Sequence, residues 1–371
     1  MKIAIVGCWS NMRIYPIYSS SLRNALEALT GHKIPVITTN CFCFDKHNPV
    51  NHDFDFINLP YMTRRPSKTR LKYYVRTHLY DLLERLRGYL FSFRSIKFDV
   101  VNFQQTSYAF GYESLKSFLS MYSKAKKIVT IHKLDLIQKE NPELNLIYNK
   151  ADGIITFSKY MKEMLIKDGV QANKISVVYH GTSLNPLQDV PREQAILFCG
   201  SPIPQIKGFE HVVVALRILQ EEGITLRMKV YGFFLGHEKE YALRLASDEG
   251  VEGLLNWQSF KNESELIDEY QKSILCLIPY TGYAGYFPAA YAMGNGVPII
   301  ATDILGHSEY VDGAGLTVTP ASPEQLVSAI KRVLNDDTLR KKLGANGRKR
   351  AEEALSWKAI ASQTLEVFKN A

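Results

Sequence analysis

The sequence predicts an α/β protein built from two doubly wound parallel-sheet halves, and three observations carry that prediction. Short uninterrupted apolar runs recur along the chain, helix-spaced segments separate most of them, and the alternation breaks once, near residues 181–195, before starting again. With 371 residues the chain is long enough for two cores of ordinary size. Apolar residues make up 46% and charged residues 22%, the balance of a folded chain rather than a disordered one.

Taken in order, Lys2-Ile3-Ala4-Ile5-Val6-Gly7 reads as a strand, and a polar loop follows it. Leu22, Ala25, Leu26 and Leu29 then share one face of a helix, which opens a βαβ unit. Residues 34–38, 100–103, 127–131 and 153–157 are apolar on consecutive positions, as a parallel strand covered on both faces is. Gly181-Thr182-Ser183-Leu184-Asn185-Pro186 and Asp189-Val190-Pro191-Arg192 gather turn formers and read as a linker. A second series begins with a strand over 195–200 and a helix over 209–220, with Val212, Val213, Leu216 and Leu219 on one side. Strands over 226–232, 275–279 and 297–301 follow, then helices over 323–334 and 338–355. Domains are expected over 1–185 and 186–355, with a last helix over 356–371 packing back on the first. Ligands of such sheets sit off the carboxyl ends of the strands. The loops after Val6, Ile131, Cys199, Val230, Pro279 and Ala301 are therefore where binding residues are sought.

Charge is uneven. Residues 1–190 carry 26 basic and 15 acidic side chains, residues 191–371 carry 19 and 22, and the first half is expected to meet something anionic. The alternative is a basic surface that only aids solubility. Cys8, Cys41, Cys43, Cys199 and Cys276 form no CxxC and no zinc-type spacing with histidine; the odd count suits a reducing compartment, and no metal is expected. Neither a secretory leader nor a run of 18 apolar residues is recognised, so the expected location is cytoplasmic or peripheral, on the inner face of a membrane.

Two motifs stand out in the second half. Phe198-Cys199-Gly200-Ser201-Pro202-Ile203-Pro204-Gln205-Ile206-Lys207-Gly208 is a strand, a small-residue loop and a Lys-Gly pair ahead of a helix, where a lysine can reach an anion held by helix N-terminal amides. Ala292-Met293-Gly294-Asn295-Gly296-Val297-Pro298-Ile299-Ile300-Ala301-Thr302-Asp303 is a helix stopped by glycine and followed by a buried strand, leading into Gly306-His307-Ser308-Glu309-Tyr310-Val311. In this order the segments resemble the family 4 glycosyltransferases, which have the GT-B fold: two Rossmann-like domains facing across a cleft, acceptor half first. Ala151-Asp152-Gly153-Ile154-Ile155-Thr156-Phe157-Ser158, Val177-Val178-Tyr179-His180-Gly181 and Lys229-Val230-Tyr231-Gly232 extend the likeness. Residues 313–347 and Ser356-Trp357 are similar to the family's C-terminal helices.

The resemblance implies transfer of a sugar from a nucleotide diphosphate sugar, with retention and without a metal or other cofactor, to a glycan or lipid-linked acceptor. Polysaccharide assembly is the implied setting. It places Lys207 on the diphosphate and His132 beside the transferred sugar. Gly200, Ser201, Tyr231, Gly232, Tyr283, Gly285, Tyr286, Phe287, Tyr291 and Glu309 fall at the donor, and Trp9, Ser10, Gln104 and Lys133 on the acceptor side. The chain also departs from the pattern. The family's two glutamates, eight positions apart, are Tyr283 and Tyr291 here, and its arginine is Ser201 in a loop one residue longer. The glycine pair of the first loop is missing, since the stretch from Cys8 to Ser21 holds no glycine. A phenol is neutral at pH 7, unlike the carboxylate it replaces. An inactive homologue acting as a scaffold or partner subunit is therefore the alternative to an active transferase.

Residues 64–97 hold ten basic and two acidic side chains interleaved with Tyr73, Tyr74, Tyr80, Tyr89, Phe91 and Phe93. This suits a basic amphipathic helix on an anionic bilayer, and equally an acceptor-domain helix with a solvated basic face. No nucleic-acid-binding module is recognised. Asp53-Phe54-Asp55 spells a DxD, read here as chance in a polar loop.

Overall fold

The structure, a computed structural model, describes residues 1–6, 14–39, 54–57, 97–105, 115, 116, 119, 124–132, 134, 143–188, 191–232, 234, 236–259, 262–282 and 285–371. They form two compact units, Met1–Val178 with Ile360–Ala371, and Tyr179–Ala359.

In the first unit the elements run β1 (Ile3–Val6), α1 (Ile14–Thr30), β2 (Val36–Thr39), β3 (Phe54–Ile57), β4 (Val100–Gln105), β5 (Lys126–Ile131), α2 (Glu143–Tyr148), β6 (Gly153–Thr156), α3 (Lys159–Lys167) and β7 (Ile175–Val177). The sheet order is β3-β2-β1-β4-β5-β6-β7, with every pair parallel. Strands β1 and β6 are buried at all four positions, which is why they read as unbroken apolar runs. Ser158 caps α3 by accepting the Met161 amide at 3.1 Å. The DxD does not lie wholly in a polar loop: Phe54–Ile57 is the edge strand, with Asp55 in register with Ile37, while Asp53 lies outside the described residues. A short edge strand carrying a charge exposes little unpaired backbone to other chains.

The second unit runs β8 (Glu193–Cys199), α4 (Phe209–Glu221), β9 (Arg227–Gly232), α5 (Gly236–Asp248), β10 (Leu255–Ser259), α6 (Glu263–Lys272), β11 (Ser273–Ile278), α7 (Phe287–Gly294), β12 (Ile299–Thr302), α8 (His307–Val311), β13 (Gly315–Val318), α9 (Pro323–Asn335) and α10 (Asp337–Arg350). Its sheet order is β10-β9-β8-β11-β12-β13, again with every pair parallel. The four α4 residues assigned to one face are all buried, against Phe198, Met228 and Val230 among others. Two expectations change. Gly315–Val318 is a strand, not part of the terminal helices, and an added Cβ at Gly315 would stand 2.4 Å from the Ile299 carbonyl oxygen. The helix expected through residue 355 ends at Arg350, and Ala351–Leu355 forms a wider π-type turn before α11 (Trp357–Asn370). The Ile360–Ala371 part of α11 groups with the first unit, where Lys126 Nζ donates to the Lys369 carbonyl at 3.4 Å.

The second unit opens with a segment held by aromatic packing. His180 lies 5.5 Å from the Phe287 ring and 5.9 Å from Trp357, and an added Cβ at Gly181 would come within 2.4 Å of Trp357. The Thr182 amide donates to the Leu355 carbonyl at 2.8 Å, tying this segment to the turn before α11. Burial pushes the His180 imidazole down to about 4 from 6.5, against a smaller opposing effect of the Gly181 carbonyl. An unfolded chain takes up that proton as pH falls through 6.5, whereas the folded chain resists until about 4, so this group costs stability across that window. His180→Gln is expected to flatten the acid limb by roughly 2–3 kcal/mol, read from urea midpoints at successive pH values.

Candidate functional site

The second unit brings three loops together at the carboxyl edge of its sheet. Gly200 donates its amide to the Tyr231 carbonyl at 2.9 Å, and a Cβ at Gly232 would lie 3.0–3.2 Å from Gly200 backbone atoms. The loops after β8 and β9 therefore pack backbone on backbone. Gly208, at φ +64°, opens α4, and a Cβ there would meet the Pro279 carbonyl oxygen at 1.8 Å. Thr281 and Gly282 both donate to the Ile206 carbonyl, at 3.0 and 3.1 Å, which laces the loop after β11 to the loop carrying Lys207.

Lys207 stands on this frame. Its Nζ lies 3.9 Å from the centroid of the Tyr280 ring and 3.7 Å from where a Cβ on Gly200 would be. Tyr280 is buried, its carbonyl accepts the Thr302 hydroxyl at 2.6 Å, and His307 sits edge-on to it at 5.1 Å. Gly200, Ser201, Gly232 and Lys207 thus form one cluster at the α4 N-terminus. Tyr231 joins it through its backbone, with its ring buried.

The remaining expected donor residues are placed differently from one another. Gly285 is exposed. Tyr286 stacks on Tyr310 at 4.4 Å and donates to the Leu305 carbonyl at 2.6 Å, and Phe287 stacks on Tyr291 at 4.1 Å; all four rings are buried. Tyr291 donates its hydroxyl to Glu263 Oε1, which also accepts from Ser183 Oγ at 2.6 Å. Burial first, and then Glu263, raise the Tyr291 phenol well above its usual range, so it stays a neutral donor. Its hydroxyl faces α6 and the segment before β8. Glu309 accepts from the Tyr179 hydroxyl at 2.5 Å, a phenol that burial and this carboxylate push up to about 12. Tyr283 lies outside the described residues.

Reading by motif missed Glu238, in the first turn of α5, whose carboxylate accepts the Ser201 hydroxyl and is only 7% exposed. It also missed Glu263 and Tyr280. The one available signal was position, since each stands within a few residues of the carboxyl end of a strand.

In the first unit His132 follows β5 directly, buried between Tyr18 and Phe157 at 4.8 and 4.9 Å. Its Nε2 lies 2.6 Å from Gln104 Oε1. Gln104 Nε2 donates to Asn102 Oδ1, and Asn102 Nδ2 donates to Thr130 Oγ1 at 2.9 Å. That chain turns the Gln104 oxygen toward the imidazole and assigns the hydrogen to Nε2 of His132. Trp9, Ser10 and Lys133 lie outside the described residues, as do residues 64–96 of the basic segment.

Two parallel-sheet units of this kind, with a glycine-lined loop and a lysine at a helix start, define the GT-B class. Two family models match: one described as "Glycosyltransferase Family 4" over residues 17–185, the other as "Glycosyl transferases group 1" over residues 186–350. The chain belongs to the family 4 glycosyltransferases. It is 27% identical over 228 residues to an MMP α-(1→4)-mannosyltransferase of Mycolicibacterium hassiacum, covering 59% of this chain and 54% of that protein. It is 22% identical over 254 residues to O-antigen chain mannosyltransferase B of Escherichia coli, covering 64% of this chain and 66% of that one. The chain thus spans little more than half the length of the first of these relatives. Among solved structures, Anabaena Alr3699/HepE in complex with UDP superposes over the whole of both chains with a TM-score of 0.76 at 16% identity. No helix among the described residues is long and apolar enough to cross a membrane.

Substitution separates the close contact at Gly208 from its backbone conformation. Gly223 also has positive φ, +79°, but open space around its Cβ position. Gly223→Ala is expected to cost about 1 kcal/mol, the price of the left-handed backbone alone. Gly208→Ala is expected to cost on the order of 3 kcal/mol or more, because the Pro279 carbonyl must also move. Urea denaturation of both variants checks the contrast.

Proposed function

We propose that the chain transfers a sugar from a nucleoside diphosphate sugar to a glycan or lipid-linked hydroxyl acceptor, without a metal and with retention at the anomeric carbon. The observation that carries this is the Lys207 ammonium on a glycine-lined frame at the start of α4. A departing diphosphate gathers negative charge as the sugar becomes oxocarbenium-like. A fixed cation and aligned helix amides are strongest on that charge when it develops. Lys207 supplies the cation, and the amides at the start of α4 supply the dipoles. In the first unit, His132 offers an imidazole whose tautomer is set by Gln104. The family relationship supports the reading, as does the fold shared with a structure that holds UDP.

Isothermal titration with uridine, guanosine, adenosine and cytidine diphosphates tests it. At least one is expected to bind, and Lys207→Ala is expected to weaken it 10- to 100-fold, since a charge-assisted contact to phosphate is lost. Transfer should survive EDTA and leave the donor's anomeric configuration in the product, as read by NMR. A protein that binds none of the four has lost the donor site.

A further inference from the structure

Nothing in the charge of Lys207 explains Glu238, a carboxylate buried beside the same loop. The loops after β8 and β9 touch at Gly200 and Gly232. From the first comes Ser201. From the helix that follows the second comes Glu238, in the first turn of α5, and Ser201 Oγ donates to its Oε2. Gly200 and Ser201 thus have an ammonium approaching the first residue and a carboxylate bonded to the second. A diphosphate is drawn to the one and repelled by the other, so the groups that settle against Glu238 are neutral hydrogen-bond donors. In a nucleoside diphosphate the donors a few atoms from the α-phosphate are the vicinal hydroxyls of the ribose. Nucleotide-binding parallel sheets in general divide the work this way, with the pyrophosphate on the first strand's loop and an acid beyond the second strand on the ribose.

Resting on the donor reading above, we infer that Glu238 recognises the ribose hydroxyls of the donor nucleotide, with Ser201 as its positioning residue. The Ser201 hydroxyl donates to Oε2 and holds the carboxylate beside the loop that carries Gly200, within reach of the diol. This gives Ser201 a part of its own. It orients an acceptor of hydroxyls instead of binding phosphate. It also gives the nucleotide a carboxylate contact that does not come from position 291, whose phenol is committed to Glu263.

The test is titration calorimetry with the four ribonucleoside diphosphates, then with the 2′-deoxy and 3′-deoxy forms of whichever binds. Wild-type protein is expected to bind the deoxy forms about tenfold more weakly, the usual weight of a hydrogen bond to a charged group. Glu238→Gln, which keeps an oxygen for Ser201, is expected to weaken the ribonucleotide about tenfold and the deoxy forms less than twofold. Ser201→Ala is expected to shrink the ribose preference while leaving the deoxy affinity in place, and it keeps the question answerable should Glu238→Gln fold poorly. Equal losses for ribo and deoxy ligands in either variant, or a wild type indifferent to both hydroxyls, would overturn the assignment and leave the donor reading standing. A wild type that binds no nucleotide would overturn both.

Discussion

The candidate donor site depends on a steric constraint: at the carboxyl edge of the second sheet, three loops approach so closely that a Cβ would collide at Gly208 and be crowded at Gly232. Gly208 lies against the Pro279 carbonyl and Gly232 against Gly200. Because those contacts are backbone on backbone, the loop from Ser201 to Lys207 has little freedom, and the Ile206 carbonyl that receives two amides from beyond Pro279 reduces it further. The lysine leaves a frame already fixed, over a tyrosine ring already buried. A side chain held this way has less entropy to lose when an anion arrives. Order paid for in folding is order the binding step does not have to supply.

Electrostatics on that frame follow a consistent pattern. Three carboxylates of the second unit accept hydroxyls: Glu238 from Ser201, Glu263 from Ser183 and Tyr291, and Glu309 from Tyr179. A hydroxyl stabilises a carboxylate without cancelling its charge. Each carboxylate is therefore given a direction while it keeps its charge. The phenols in this arrangement stay protonated because burial and the neighbouring carboxylates both oppose ionisation.

Much of the fold was legible because buried parallel strands leave an unmistakable mark. Ile3–Val6 is apolar at every position and Ser273–Ile278 at all but its first, since both faces are covered. Edge strands leave no such mark. Phe54–Ile57 and Leu255–Ser259 mix polar and apolar residues, one beside an acidic pair that looked like a loop. For the site, Gly200, Lys207 and Gly208 were legible as a motif because geometry demands those residue types at that spacing. Tyr291 was readable as a departure, but not where its hydroxyl goes. Its partner, Glu263, is 28 residues away in sequence and meets it only through the packing of α6 on α7.

The ribose contact inferred for Glu238 gives a general reason that local pattern fails at such sites. A cation for a diphosphate must stand where the pyrophosphate is fixed by backbone amides, which ties it to the loop between the first strand and its helix. An acceptor for hydroxyls has only to come within hydrogen-bond reach of a ligand already anchored, and the loops after several neighbouring strands offer that reach. Replacing a carboxylate at one position therefore does not by itself remove the interaction. It can arrive from the next helix, provided a neighbour such as Ser201 holds it in place. A motif records one solution to that problem, whereas the sheet edge permits several.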